Sequence, residues 1–329
     1  MFSELPAEPA SRPPLPVVLK AARSRISVGD WVRDNRARID AVLKESGAVL
    51  LRGFSVDATR FAEVTATICG RAEPYLYRST PRTAVGTNIY TATEYPQTLA
   101  IPMHCENAYQ RSWPMRLLFW CEIPSVTGGE TPLADVSQVT SRIPRDIVDE
   151  FAARQIRYVR NYSVGIDLPW QTVFQTQDRS TVESYCAAAG IQFEWLPNGN
   201  LRTSQICQGV ATHPETGDRV WFNQAHLFHV SSLDPASRSA MLSLYREEDL
   251  PRNAYFGDGA AIPSDMLAAV RSAFDAERTA ISWHAGDVMV IDNMRVAHGR
   301  NPFSGRRRVL VGMGAPYAPA GDAAIGAPV

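Results

Sequence analysis

The sequence predicts a mainly β fold with α-helical insertions, a sandwich or jelly roll carrying helices on its outside. Three observations lead there. Six compact apolar runs have the length and composition of strands: RLLFWCEI (116–123), IRYVRNY (156–162), IQFEWL (191–196), RVWFN (219–223), DVMVID (287–292) and RRVLVGM (307–313). These runs do not alternate regularly with helices, and Gly, Pro and Asn turns separate several of them, which disfavours a doubly wound parallel sheet. No repeat, linker or long charge run divides the 329 residues, so 16–329 reads as one domain behind a Pro-rich arm, 1–15, expected to be mobile.

Taken in order, the chain first shows Trp31, Val32, Ile39, Val42 and Leu43 at helical spacing between charges, predicting a helix over 28–45 that Gly47 ends. AVLLRGF (48–54) follows as a buried strand, and Asp57 caps a predicted helix over 58–69. The Thr-rich stretch 75–100 is weakly patterned and reads as irregular with at most one strand. Later helices are expected near 144–153, 181–189, 235–246 and 264–276.

Composition removes several function classes. Basic and acidic side chains number 33 and 34, a net charge of −1, so no global field favours nucleic acid or anionic lipid. No apolar run approaches the roughly 20 residues of a membrane span. The first twenty residues lack the apolar core of a signal peptide. The five cysteines (69, 105, 121, 186 and 207) are odd in number and form no CxxC pair, which fits a reducing cytoplasm better than a disulfide framework.

Of six histidines, His104 lies in IPMHCENAYQ, two residues before Glu106. On a strand both side chains would leave the same face and offer one imidazole and one carboxylate to a single ion. His298 closes GDVMVIDNMRVAHGR after a buried-looking strand. Two His and one carboxylate on one face of iron(II) leave adjacent positions open for a bidentate cosubstrate and O2. Nine residues beyond His298, Arg307 and its neighbours Arg306 and Arg308 enter an apolar strand. A guanidinium carried into a core needs an anionic partner, and a dicarboxylate supplies one. Strand parity places Arg307 with Val309 and Val311, with Arg308 opposite, although the run of three leaves the choice between 307 and 308 open. Thr131 in GGETPLADV could donate to the same carboxylate.

HCENAYQ, GGETPLAD, WFNQAHLFHVSSLDP, PRNAYFGDG and GDVMVIDN with AHGR and GRRRVLV occur in the order found in the TauD/TfdA (taurine dioxygenase-like) family, which the chain resembles from about 30 to 315. It looks closest to the SyrP-like and clavaminate-synthase-like branch. The resemblance implies a double-stranded β-helix (jelly roll) core flanked by helices, and a requirement for Fe(II), 2-oxoglutarate and O2. It implies that His104, Glu106 and His298 hold the metal, and that Thr131 and Arg307 bind 2-oxoglutarate. Taurine dioxygenase has a further Arg four positions on, where this chain has Val311, which speaks against a sulfonate substrate. Related halogenases replace the acid with a small residue; Glu106 favours hydroxylation, with desaturation the alternative on the same scaffold. Branch members often act on amino acids, free or tethered to a peptidyl carrier protein, in natural-product biosynthesis. Such a substrate is expected here, with Asn107, Asn223 and Arg160, and behind them Gln224 and Arg295, as residues to orient it.

Two rivals stand beside this reading. His226 and His229 share one helical face and, with a carboxylate, could hold zinc for hydrolysis. A non-catalytic jelly roll that binds a small acid or a carrier domain is the rival from another class.

Overall fold

The structure, a computed structural model, describes residues 13–22, 26–70, 72, 77, 79–80, 82–162, 167–197 and 199–319. Most of the predicted N-terminal arm, 1–12, lies outside the described residues.

Sheets form the core. A seven-stranded sheet runs in the order Val17–Lys20, Ala48–Arg52, Val288–Asp292, Trp113–Ile123, Arg308–Tyr317, Ile89–Thr91 and Ala84–Gly86. Only its first pair is parallel. A four-stranded sheet, Thr279–Ile281, Thr131–Asp135, Val296–Arg300 and Ile101–His104, is antiparallel throughout.

Strict alternation along the long strand Trp113–Ile123 explains how the layers stack. Leu117, Phe119 and Cys121 join Met289, Ile291, Val309 and Val311 against Leu133, Val296 and Trp283 of the smaller sheet and its flank. Leu118 and Trp120 leave the opposite face with Val288, Val290 and Leu310, and meet Val32, Ile39, Leu43, Phe61 and Val64 of the N-terminal helices. The second of those helices, Arg36–Ser46, is separated from Val28–Asp34 at Asn35, where the sequence predicted one continuous helix. Asp57 caps Ala58–Cys69 as expected, accepting from Arg60 N at 2.8 Å.

A third layer is inserted between the two halves of the sheet sequence. The strands Gln192–Trp195, Leu201–Cys207, Ile156–Tyr162 and Arg252–Phe256 form their own antiparallel sheet. The helices Arg145–Arg154, Arg179–Ala189 and Ser264–Ala276 contribute to the core shared with it. Met103 and Cys105, the residues on either side of His104, are buried in that core. His226, on the short helix Ala225–Phe228, reaches the same place: its Nε2 donates to Met103 O at 3.1 Å, and its ring stacks on Phe274 at 4.8 Å.

Two predictions follow from this packing. A Cβ on Gly312 would lie 2.6 Å from Thr65 Cγ2 and 2.7 Å from Thr65 Oγ1, because helix Ala58–Cys69 lies directly on the strand there. Gly312→Ala is expected to cost about 1–3 kcal/mol through overpacking, read from the urea midpoint, and Thr65→Ala in the same chain should recover part of that loss. Equal midpoints for Gly312→Ala and the parent would refute the close approach. Burial pushes the His226 imidazole down to about 4 from its ordinary 6.5, partly offset by its bond to Met103 O. The unfolded chain therefore takes up this proton first as pH falls, and stability drops between about pH 6.5 and 4 by up to about 3 kcal/mol. His226→Gln should flatten that part of the stability–pH profile, and an unchanged slope would remove His226 as its source.

Candidate active site

His298 sits opposite His104 in the antiparallel pairing of Val296–Arg300 with Ile101–His104. Their rings are 4.6 Å apart between centroids, and the Phe119 ring lies 5.2 Å from that of His298. His104 Nδ1 donates to Pro102 O at 2.9 Å, which leaves Nε2 unprotonated as a lone pair. Glu106 completes the group, its Oε2 4.0 Å from His298 Nε2. One ligand atom from each of the three residues falls within 4.8 Å of the others.

Glu106 reaches this place by a different route from the one the sequence suggested. The strand ends at His104, and Glu106 lies in the turn beyond it. Asn293 holds that turn: its Oδ1 accepts from Glu106 N at 2.7 Å, and its Nδ2 donates to Glu106 O and Pro114 O, both at 2.9 Å. Asn293 is wholly buried, so each of these bonds replaces water the turn cannot reach. Gln224 adds a second clamp, donating from Nε2 to Cys105 O at 2.6 Å. The Cys105 thiol is buried, and its pKa is pushed up by that burial and by Asp292.

The electrostatics suit a cation. Burial holds both ligand imidazoles below their ordinary pKa, with Glu106 pulling His104 the other way and Arg82 adding to the depression in both. They therefore stand neutral at pH 7, the form that ligates. His298 Nδ1 is buried and has no hydrogen-bond partner among the described residues. Arg82, unremarked in the sequence reading, donates from Nη2 to Glu106 Oε2 at 2.7 Å, both side chains being almost fully buried.

His104 and His298 line a pocket of about 420 Å³ including its mouth, whose walls also include Arg82, Phe119, Thr131, Arg300, Arg307 and Val309. Thr131, on Thr131–Asp135, is buried and accepts at Oγ1 from Trp283 Nε1 at 3.1 Å, so its own proton is available to a further acceptor. Arg307 donates from Nε to Gly129 O at 3.1 Å. A Cβ on Gly129, whose φ is +73°, would lie 3.1 Å from Arg307 Cδ and Nε, so the Gly-Gly turn is also the slot through which the guanidinium passes. Burial pushes Arg307 down to about 10, and the charge of Arg300 adds to the effect. Neither Arg300 nor Arg307 forms an ion pair with a carboxylate among the described residues; Arg300 instead donates to the carbonyls of Tyr95, Pro96 and Leu99. Arg308 is more exposed and pairs with Glu122 at 3.0 Å, away from the pocket lining.

The remaining candidates are dispersed. Asn223 is spent on backbone, donating to Gly209 O at 2.6 Å and accepting from Ala225 N at 3.0 Å. Arg295 donates to Leu43 O and Glu45 O, both at 3.3 Å, at the end of helix Arg36–Ser46. Arg160 is buried in the inserted layer with its guanidinium carbon 5.0 Å from the Tyr77 ring centre and 4.9 Å from that of Tyr162. Asn107 has φ +57°, and its amide oxygen is buried without a hydrogen-bond partner among the described residues. None of the four lines the pocket beside the three ligands. His226 and His229 form no ligand cluster: the one group of three or more His, Cys, Asp or Glu able to share an ion among the described residues is His104, Glu106 and His298.

Residues 11–313 match the family described as taurine catabolism dioxygenase TauD, TfdA. The dapdiamide synthesis protein DdaC of Enterobacter agglomerans is 40% identical over 285 residues, covering 86% of this chain and 87% of that protein. A clavaminate synthase-like protein of Arabidopsis thaliana is 32% identical over 294 residues, covering 86% of each. Among solved structures, an asparagine oxygenase in complex with Fe(II), 2S,3S-3-hydroxyasparagine and succinate superposes with a TM-score of 0.53 at 15% identity, over 87% of this chain and 79% of that one. PvcB, an Fe, alpha-ketoglutarate dependent oxygenase from an isonitrile synthetic pathway, gives 0.50 at 15% identity over 90% and 84%. With a family match over nearly its whole length and two relatives above 30% identity, this chain belongs to the TauD/TfdA family and is a non-haem iron, 2-oxoglutarate-dependent oxygenase.

Proposed function

We propose that the chain hydroxylates an amino acid, free or tethered to a carrier protein, with decarboxylation of 2-oxoglutarate to succinate, at an iron(II) held by His104, Glu106 and His298. The observation that supports this reading is a His, Glu, His group within 4.8 Å of one another, with His104 and His298 lining a pocket that Arg300 and Arg307 also line, neither guanidinium pairing with a carboxylate among the described residues. A dicarboxylate is the ligand that fits both the metal and the guanidiniums. We take the seven- and four-stranded sheets that enclose this pocket as the two halves of a double-stranded β-helix.

In this reading His104 and His298 bind through neutral imidazoles, and Glu106 supplies the one anionic ligand. Iron(II), once bound, supplies the redox chemistry of O2 activation. Arg307 takes the distal carboxylate of 2-oxoglutarate in a charge-assisted pair, Thr131 donates its hydroxyl proton to the same carboxylate, and Trp283 fixes the rotamer of Thr131. Phe119 and Val309 keep the space between dry, which strengthens each of these contacts. The amino-acid class rests on the relationship to DdaC, a protein named for dapdiamide synthesis, and on Val311, which is wholly buried where a sulfonate-binding Arg would be needed. Asn107, next to Glu106 in sequence, has an amide oxygen with no hydrogen-bond partner among the described residues and is the polar group proposed for the substrate amine, although it lies outside the pocket lining. Desaturation, the alternative on this scaffold, would remove a second hydrogen from the substrate, with the oxygen leaving as water instead of entering the product.

Fe(II) and then 2-oxoglutarate added to the anaerobic protein should produce a visible charge-transfer band. Glu106→Ala should abolish the band, and Arg307→Ala should raise the 2-oxoglutarate concentration needed for it by about tenfold or more. Thr131→Val, which removes a neutral donor, should shift it by only about threefold. A parent protein that gives no band and carries zinc in the same position would defeat the assignment. Succinate release should then depend on addition of an amino acid, free or carrier-bound; release by sulfonates alone would contradict the substrate class.

A further inference from the structure

We infer that Arg82 is a stand-in cation for the metal: it neutralises Glu106 in the metal-free protein and opposes the ion that takes its place. The inference rests on the metal centre proposed above and deepens it. Three observations carry it. Arg82 Nη2 lies 2.7 Å from Glu106 Oε2, and that same oxygen is the one that approaches His298 Nε2 at 4.0 Å, so the guanidinium grips the oxygen nearest the other ligands. Both partners are almost fully buried, at 3% and 4% side-chain exposure, so their charges are poorly screened by water. Arg82 also lines the same pocket as His104 and His298, so its charge stands beside an ion seated among the three ligands.

The consequence is a competition with a definite sign. Without metal, a buried carboxylate lacking its counter-ion would be strongly unfavourable, and Arg82 supplies that counter-ion. With metal, a divalent ion and a guanidinium share one carboxylate, and their mutual repulsion weakens metal binding. Arg82 thus stabilises the empty site and lowers the affinity of the filled one. A residue that merely positioned Glu106 would have the opposite effect on affinity, because its loss would loosen a ligand.

The test is isothermal titration of the protein with Mn(II), together with melting temperatures of the metal-free and Mn(II)-loaded forms, for the parent, Arg82→Gln and Arg82→Lys. For Arg82→Gln the Mn(II) dissociation constant should fall by about fivefold or more, the metal-free form should melt lower, and the Mn(II)-induced rise in melting temperature should exceed that of the parent. Arg82→Lys, which keeps the charge, should stay within about twofold of the parent. It also guards the test, because a metal-free Arg82→Gln chain that fails to fold can be refolded with Mn(II) present and compared by chelator competition. Affinity that is unchanged or weaker in Arg82→Gln would overturn the inference while leaving the metal centre intact. A parent protein that does not bind Mn(II) at all would overturn the metal centre, and this inference with it.

Discussion

Because Val296–Arg300 pairs antiparallel with Ile101–His104 in a register that sets His298 directly across from His104, two imidazoles far apart in the sequence meet without any long side chain having to reach. Everything else in the site is arranged around that register. A shift by one residue would turn either histidine to the opposite face of its strand. The register is held from both sides: Val296–Arg300 also pairs with Thr131–Asp135, and Met103 and Cys105 anchor the short strand and its exit in the inserted core. The strand that carries His298 thus has the strand that carries Thr131 on one side and the strand that carries His104 on the other. Both histidines of the proposed metal centre and the proposed cosubstrate donor Thr131 are fixed by one small sheet, while Glu106 is held in the turn beyond it.

The charges divide the pocket into two zones. Two neutral imidazoles, backed by the Glu106 carboxylate and Arg82, form one zone, and Arg300 and Arg307, which line the same pocket with Thr131, form the other. Each guanidinium is held by neutral carbonyls rather than by acids: Arg307 by Gly129, Arg300 by the turn at Tyr95–Leu99. Carbonyls orient a guanidinium without neutralising it, so its charge remains to attract an anion. The arrangement is costly to the empty protein, and the downward displacement of the Arg307 pKa expresses that cost.

Much of the large sheet was legible in the sequence because its strands are long, apolar and β-branched. The run 287–292 differed by one residue from Val288–Asp292 of that sheet, and in the inserted sheet Ile156–Tyr162 emerged as read. The small sheet was not legible. IPMH contains a Pro, VAHGR contains a Gly and an Arg, and TPLAD begins beside a Gly-Gly turn, so none has the alternation that marks a strand. Yet that sheet carries the site. Residue type and family likeness pointed to the three residues that the fold brings within 4.8 Å of one another, whereas the parity argument for Glu106 described a strand that stops two residues short of it. Arg307 lies just before the strand Arg308–Tyr317, whose pairing shifts register between Arg308 and Val309, so strand parity does not apply to it either; it lines the pocket with Val309 while Arg308 pairs with Glu122. Asn293 and Arg300 lay inside quoted motifs without a role, since a hydrogen bond to a distant backbone leaves no trace in local pattern. Arg82 stands in the Thr-rich stretch, where nothing local distinguishes it from a solvated charge.

The thiol of Cys105 sits between two of the ligands in sequence, one residue from His104 and one from Glu106, and is turned into the apolar core with its proton held on by burial and by Asp292. A thiolate at that point would be the donor that copper(I) and zinc prefer. With the sulfur protonated and facing inward, the proposed centre would offer only nitrogen and oxygen ligands, of the borderline-to-hard character that suits a ferrous ion. Metal preference in that centre would then depend partly on which of three consecutive side chains the backbone turns into the apolar core.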